Sequence, residues 1–277
     1  MMATLSDTSI ELNNVTYGIA AIDVGNSRVK IHHDDVHLSF PYDKEWKKNV
    51  QLHFRDNVSK RYLIGLSSVN HKQTTAIVKV LQRIPGHHVL NAHTLLMRNQ
   101  SELSLEEIEN AGIDRMLGTI GALAQAPAPL LTIDCGTAVT VNAVSASKHF
   151  LGGVIFAGFS TQLFGLSKQT AAIPEMTYTP PTRTIGINTA QCLMSGITAS
   201  VVGGVNHAIT HFTEEMGVKN IPVVVTGGES GPVFESLKQS GANVQHHPHI
   251  VTEGILILLS KATIENIQDS IIGKILT

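Results

Sequence analysis

The chain has 277 residues and a mass of 29.8 kDa, enough for two ordinary domains or one large one and for a sizeable buried core. Hydrophobic residues at 43% against 15% charged place it in the globular class and exclude general disorder. Twenty Lys and Arg against twenty-two Asp and Glu leave a formal charge of −2, so no global field draws it to nucleic acid or to an anionic membrane.

Two cysteines, Cys135 and Cys192, supply neither a zinc ligand set nor the disulfide framework of a small secreted domain. The opening MMATLSDTSIELNNVTYG has neither the basic start nor the apolar core of a secretory signal, and no uncharged apolar run reaches the ~18 residues of a membrane span. The expectation is a cytoplasmic protein with reduced thiols. Fourteen histidines include HHDD at 32–35 and HHPH at 246–249. Adjacent His on a strand point to opposite faces, so neither run has the spacing of a metal motif, and both read as solvated loops or strand ends.

In chain order, the apolar run 17–22 predicts a strand that stops at Asp23-Val24-Gly25-Asn26-Ser27 and resumes as a second strand at 28–32. A strand at about 61–66, a helix at about 72–83, a strand near 88–90 and a helix at about 114–124 follow. APAP at 126–129 then punctuates the chain. Leu130 to Ile133 runs into Asp134-Cys135-Gly136-Thr137-Ala138 and the β-branched Val139-Thr140-Val141, repeating the first pattern 111 residues later (134 − 23). Beyond it come a strand ending near residue 155, a helix at 159–169, a proline-rich loop and a long helix at about 188–216. A buried strand at 221–225 ends at Thr226-Gly227-Gly228 and leads to a helix near 231–240. Strands mixed with helices, and a repeated motif, predict an α/β chain of two related halves.

An Asp at a strand end followed by x-Gly places a carboxylate beside backbone that a ligand can approach closely. Exposed N–H groups and the hydroxyls of Ser27, Thr137 and Thr140 can hold phosphate oxygens while the Asp holds Mg²⁺, usually through water. Two such turns and the later Thr-Gly-Gly would make two walls and a floor for a nucleotide in a central cleft, with Asp23 and Asp134 facing each other. Asp114 suits a general base for phosphoryl transfer and equally suits a helix N-cap. Arg115 has the planar fork that recognises a carboxylate.

Asp23-Val24-Gly25-Asn26-Ser27 with Lys30, Gly112-Ile113-Asp114-Arg115, Asp134-Cys135-Gly136-Thr137-Ala138 with Thr140, Gly152-Gly153-Val154-Ile155 with Gly158, Thr189, and Thr226-Gly227-Gly228 occur in the order seen in type III pantothenate kinases. Over roughly residues 17–265 the chain resembles that family, a branch of the acetate and sugar kinase, Hsp70 and actin superfamily. The resemblance implies a duplicated ribonuclease-H-like (actin-like ATPase) fold, with domains at 17–127 and 128–277. It implies ATP-dependent phosphorylation of the primary hydroxyl of pantothenate, the first step towards coenzyme A. The roles it implies are Asp23, Gly25, Asn26, Ser27 and Lys30 for the first phosphate loop, Asp134, Gly136 and Thr137 for the second, and Gly227 and Gly228 for the adenosine end. Asp114 would be the catalytic base; Gly112, Ile113, Asp114, Arg115 and Thr189 would hold pantothenate; Asp23 and Asp134 would serve the metal. Mg²⁺, a monovalent cation such as K⁺ or ammonium, and a homodimer come with the resemblance; nucleic acid and membrane partners do not.

Several positions depart from the family pattern. Ala157 stands before Gly158 where a Pro is usual, which frees one φ angle and removes no functional group. Asn142 stands where an Asp is usual, removing a charge near the expected cation or phosphate region. Leu105 and Ile108 stand where a pocket Tyr and a Pro are usual, removing a side-chain hydroxyl from the substrate pocket. These departures keep two alternatives in view: a catalytically silent paralogue serving as an accessory factor in transcription, and a kinase for another small-molecule acceptor.

Overall fold

A computed structural model describes residues 9–56, 60–106 and 108–272. The elements in order are β1 (Ser9–Leu12), β2 (Val15–Val24), β3 (Arg28–His33), β4 (Val36–Pro41), α1 (Trp46–Asp56), β5 (Tyr62–Ser68), α2 (His71–Leu81), β6 (His88–Asn91), α3 (Ala92–Arg98) and α4 (Ile113–Gln125). They continue as β7 (Leu130–Cys135), β8 (Ala138–Val144), β9 (Phe150–Ala157), α5 (Phe159–Gln169), α6 (Thr189–Glu215), β10 (Val223–Thr226), α7 (Gly231–Gln239), β11 (Val244–His246), α8 (Ile250–Ser260) and α9 (Ile264–Ser270).

The described residues divide into two compact units, one within 1–121 and 249–277, the other 122–248. The junction at 121–122 lies close to the boundary expected at 127–128. The C-terminal segment differs from expectation, because its described residues, 249–272, pack with the first unit rather than the second. The reason lies in α8, whose residues Ile250, Val251, Thr252, Gly254 and Ile255 to Leu259 are all buried. A helix apolar on every side needs cover on every side, and the first unit supplies it: α8 packs on β2, β3 and β5. Its other flank meets α4 so closely that a Cβ on Gly254 would lie 2.0 Å from the Leu117 carbonyl oxygen, and one on Gly121 would lie 2.0 Å from that of Ile250.

In the first unit the sheet runs β4-β3-β2-β5-β6, with β1 pairing on β2. In the second it runs β9-β8-β7-β10-β11. The directions also match: the first strand of each plan pairs antiparallel with the hairpin strand that follows it (β2/β3, β7/β8), and that strand pairs antiparallel with the next (β3/β4, β8/β9). On the other side each plan adds two parallel strands, β5 and β6 or β10 and β11. The two halves expected from the repeated motif are therefore two copies of one sheet plan.

Strand alternation sorts each sheet into an apolar face and a mixed one. In the first unit Ala20, Ile22, Val24, Val29, Ile31, Ile64 and Leu66 pack with Trp46, Val50 and Phe54 of α1 and Ile77, Val80 and Leu81 of α2. In the second, Leu131, Ile133, Cys135, Val139, Val141, Val223 and Val225 pack with Phe159 and Leu163 of α5, with Met194, Ile197, Val201, Val205 and Ala208 of α6, and with Val233 and Leu237 of α7. The opposite face carries Asp23 in the first sheet and Asp134 in the second. Helix α6 is long and apolar enough to cross a membrane by length and composition alone, but the five residues just named build one side of it into the second core.

Candidate functional site

Asp23 lies one residue before the end of β2 and is 7% exposed. Its register partners are Lys30 on β3 and Ser67 on β5, so the three side chains share one face. The turn that follows is closed by a hydrogen bond from Gly25 N to the Arg28 carbonyl at 3.1 Å. Asn26 and Ser27 at its tip are exposed. Tyr42 fixes the turn from the end of β4: its single hydroxyl proton is shared between the carbonyls of Gly25 at 2.8 Å and Arg28 at 3.0 Å. Burial first, and then the Asp23 charge, push the Tyr42 phenol up to about 12, so it remains a donor throughout the physiological range.

The second unit repeats the arrangement. Asp134 on β7 has Thr140 of β8 and Thr226 of β10 as register partners. Gly136 N donates to the Ala138 carbonyl at 3.0 Å, and Gly158 N to that of Thr137 at 3.0 Å. Gly227 follows with φ +101°, and a Cβ there would lie 2.3 Å from the Cys135 carbonyl oxygen and 2.6 Å from Asp134 Oδ1. Only glycine supports both that left-handed backbone and that approach. Glu229 then ties the loop down, its N–H donating to the Cys135 carbonyl at 3.0 Å and its carboxylate accepting from Ser160 N at 3.3 Å and from the Ser160 hydroxyl. Burial first, then Asp134 and Glu229, push the Cys135 thiol far up, which leaves it an inert core group.

Asp114 is the second residue of α4 rather than the residue before it. Its Oδ1 accepts from Arg115 N at 3.0 Å, and a Cβ on Gly112 would stand 2.7 Å from the same oxygen. Glycine at 112 thus leaves the carboxylate its position, and the carboxylate sits where the helix dipole favours negative charge. Burial holds the Arg115 guanidinium below its ordinary range, against the opposing pull of Asp114. Asp114 and Asp23 belong to the same unit: α4 rests on α8, and α8 covers the sheet face that carries Asp23.

Thr189 opens α6, whose cap is Asn188, the side chain of which accepts from Gln191 N at 3.0 Å. The threonine hydroxyl is thereby spared the capping role. Thr189 is exposed and lines a cavity of about 700 Å³ with Gln162, Ile187, Cys192, Leu193 and Ile197.

The donor chemistry at the two aspartates fits Mg²⁺. Hard oxygen donors stand in both places, and the Ser67 and Thr140 hydroxyls beside them are buried with no hydrogen-bond partner. Among the described residues no group of three or more His, Cys, Asp or Glu could hold a metal by itself. The run at 246–249 keeps the strand-end reading, with His246 exposed at the end of β11, whereas the run at 32–35 departs from it. His32 and His33 are 8% and 3% exposed and point to opposite faces: His32 meets His37 and His249, whereas His33 meets His53, Phe54 and Tyr62. Asn142 is also buried, its amide donating to Thr132 Oγ1 at 3.0 Å across the β7–β8 pair. Sequence reasoning passed over Tyr42, Glu229 and Ser67. For Glu229, its place directly after Gly227-Gly228 was the available signal.

Two sheets of one strand order, each ending its first strand in Asp-x-Gly, define the duplicated ribonuclease-H-like fold of the actin-like ATPases and sugar kinases. The structure superposes on a Sinorhizobium meliloti protein described as a 2-dehydro-3-deoxygalactonokinase with TM-score 0.52 and 14% identity, covering 87% of this chain and 97% of that one. It superposes on a Campylobacter jejuni protein assigned to the Baf family of transcriptional activators with TM-score 0.56 and 16% identity, covering 87% and 98%. At these identities the likeness is one of fold. The sequence places the chain further: residues 19–211 match the type III pantothenate kinase family, and the chain belongs to that family. Relatives include the type III pantothenate kinases of Sulfurihydrogenibium sp. (strain YO3AOP1), 29% identical over 87% of this chain and 98% of that protein, and of Moorella thermoacetica, 28% identical over 88% and 100%.

Proposed function

We propose that the protein transfers the γ-phosphoryl group of ATP to the primary hydroxyl of pantothenate, giving 4'-phosphopantothenate. The observation that carries the reading is the paired Asp-x-Gly plan, one copy per unit, together with Asp114 at the start of α4, within a chain of this family. Asp23, Gly25, Asn26, Ser27 and Lys30, and Asp134, Gly136 and Thr137, serve the phosphates; Gly227 and Gly228 serve the adenosine end. Asp23 and Asp134 are the carboxylates that would hold hydrated Mg²⁺, and the ion would supply neutralisation of phosphate charge. The transfer needs alignment and charge neutralisation more than covalent help. Asp114 accepts the hydroxyl proton, its carboxylate steadied by the Arg115 N–H and the helix N-terminus. Arg115 pairs with the pantothenate carboxylate, and Thr189 offers a hydroxyl at the edge of its cavity.

A homodimer in the cytoplasm accompanies this reading. Support for a second copy comes from Ile185, Ile187 and Phe164, large apolar side chains of the second unit that are 78%, 72% and 60% exposed. The monovalent cation is tested directly, by comparing K⁺, ammonium and Na⁺.

The decisive experiment assays purified protein with ATP, Mg²⁺ and pantothenate beside the Asp114→Asn variant. That change keeps shape and a hydrogen-bond acceptor but removes the basic carboxylate, so kcat falls by roughly 10²–10⁴-fold while ATP binding and the melting temperature hold. Wild-type protein that binds ATP and phosphorylates no pantothenate overturns the proposal, and an active Asn variant removes Asp114 from the chemistry.

A further inference from the structure

Ser67 and Ser68 end β5 side by side, and strand alternation sends them to opposite faces. Ser68 is fully engaged: its oxygen accepts from Asn70 N at 3.0 Å and from the Thr74 hydroxyl, and its own proton reaches the Asn70 carbonyl at 3.3 Å. Ser67 is the opposite case. It is 1% exposed, and its hydroxyl has no hydrogen-bond partner. A buried hydroxyl without a partner carries its whole desolvation cost, and an alanine of nearly the same size would avoid it.

The position of Ser67 gives that cost a purpose. Its register partner on β2 is Asp23, itself paired on the other side with Lys30. The same place in the second sheet, the parallel strand beside Asp134, is held by Thr226, which leads into Gly227-Gly228. The second unit also keeps a buried, unpartnered hydroxyl against its aspartate, Thr140 Oγ1, on the antiparallel side. Each sheet plan thus sets one spare hydroxyl beside its strand-end carboxylate, on opposite flanks.

We infer that Ser67 is a further binding residue of the nucleotide site, its hydroxyl holding a water at the Asp23 carboxylate when hydrated Mg²⁺–nucleotide is bound. This rests on the proposed role of Asp23 toward ATP. Ser67 touches neither the phosphoryl group nor the acceptor hydroxyl, so its contribution lies in affinity rather than in the chemical step.

The test is Ser67→Ala, read by thermal melting without ligand, by calorimetric titration with ADP and Mg²⁺, and by kinetics. Without ligand the variant melts at or above the wild-type temperature, since it loses an unsatisfied polar group. Its Kd for Mg²⁺–ADP and its KM for ATP rise about fivefold, the scale of one lost water-mediated hydrogen bond, with kcat held. An unchanged Kd overturns the inference. So does a clear drop in ligand-free melting temperature, which would mark the hydroxyl as bonded inside the fold. Wild-type protein that fails to bind Mg²⁺–ADP removes the ATP reading itself, and the inference with it, an outcome separate from a variant that binds as wild type does.

Discussion

Acid is expected to unfold the first unit through its buried histidines, and His32 gives the cleanest measure. The His32 ring is 8% exposed on the α8 face of the sheet, 3.9 Å from His37 and 6.3 Å from His249 between centroids, and Lys30 bears on His249 from the same strand as His32. Thr252 Oγ1 spends its proton on the His249 carbonyl at 2.9 Å, so at 3.3 Å it accepts the Nδ1–H of His32. Burial first, then the neighbouring His37, His249 and His33, lower the His32 pKa from 6.5 to about 3. The folded state therefore refuses a proton that the unfolded chain takes up below pH 6.5. Stability is complete above that pH, declines as pH falls towards 3, and levels off below it. One proton is worth about 1.4 kcal/mol per pH unit, which integrates to about 2 kcal/mol between pH 6.5 and 4.5.

His32→Phe keeps a flat ring and cannot titrate. The variant loses about 1 kcal/mol at neutral pH with the Thr252 hydrogen bond, then loses about 2 kcal/mol less than wild type on acidification, so the two stability curves cross and the variant is about 1 kcal/mol the more stable at pH 4.5. His33, His53, His87 and His249 are also lowered by burial and remain in both proteins, so the difference isolates one group. Urea titrations followed by tryptophan fluorescence read the right unit, because Trp46 is the chain's one tryptophan and is 4% exposed in the first core. Curves that stay parallel from pH 7 to 4.5 would show that His32 titrates alike in both states, and would refute the reasoning.

Two further substitutions probe the loops. Gly227→Ala drives a Cβ against the Cys135 carbonyl and the Asp134 carboxylate at a left-handed φ, so about 1–3 kcal/mol of stability and most ATP affinity disappear together; a variant with wild-type KM for ATP would show that the Gly227 approach is not needed for binding. Tyr42→Phe removes the hydroxyl shared by Gly25 and Arg28, at a cost of about 1 kcal/mol, and raises KM for ATP several-fold with little change in kcat. An unchanged KM there would mean the turn keeps its shape without the phenol.

The sequence alone determined the elements with a clear period and the residues at their ends. The strand-turn-strand at 17–32 and its copy at 130–141 were legible because apolar runs broken by Asp-x-Gly have few other solutions. Helix α5 was placed to the residue. Helix α8 was not legible, since a segment apolar on all sides has no face to announce; only its burial between the sheet and α4 made it a helix of the first unit. The short α3, β4 and β11 went unseen for a related reason, as strands of three to six residues and a seven-residue helix fall below one reliable period.

The site divides in the same way. Asp23, Asp114, Asp134 and the glycines of the candidate site were visible as motifs, because tight turns at strand ends demand particular residue types at fixed local spacing. What stands beside each aspartate was decided by tertiary structure. Ser67 lies 44 residues from Asp23 (67 − 23), and Thr226 lies 92 from Asp134 (226 − 134). Parallel pairing across intervening helices brings them together, and no local pattern records that. The histidines turn on the same distinction: HHDD reads as surface when taken as four polar letters, yet a central strand with helices on both faces buries His32 on one side and His33 on the other.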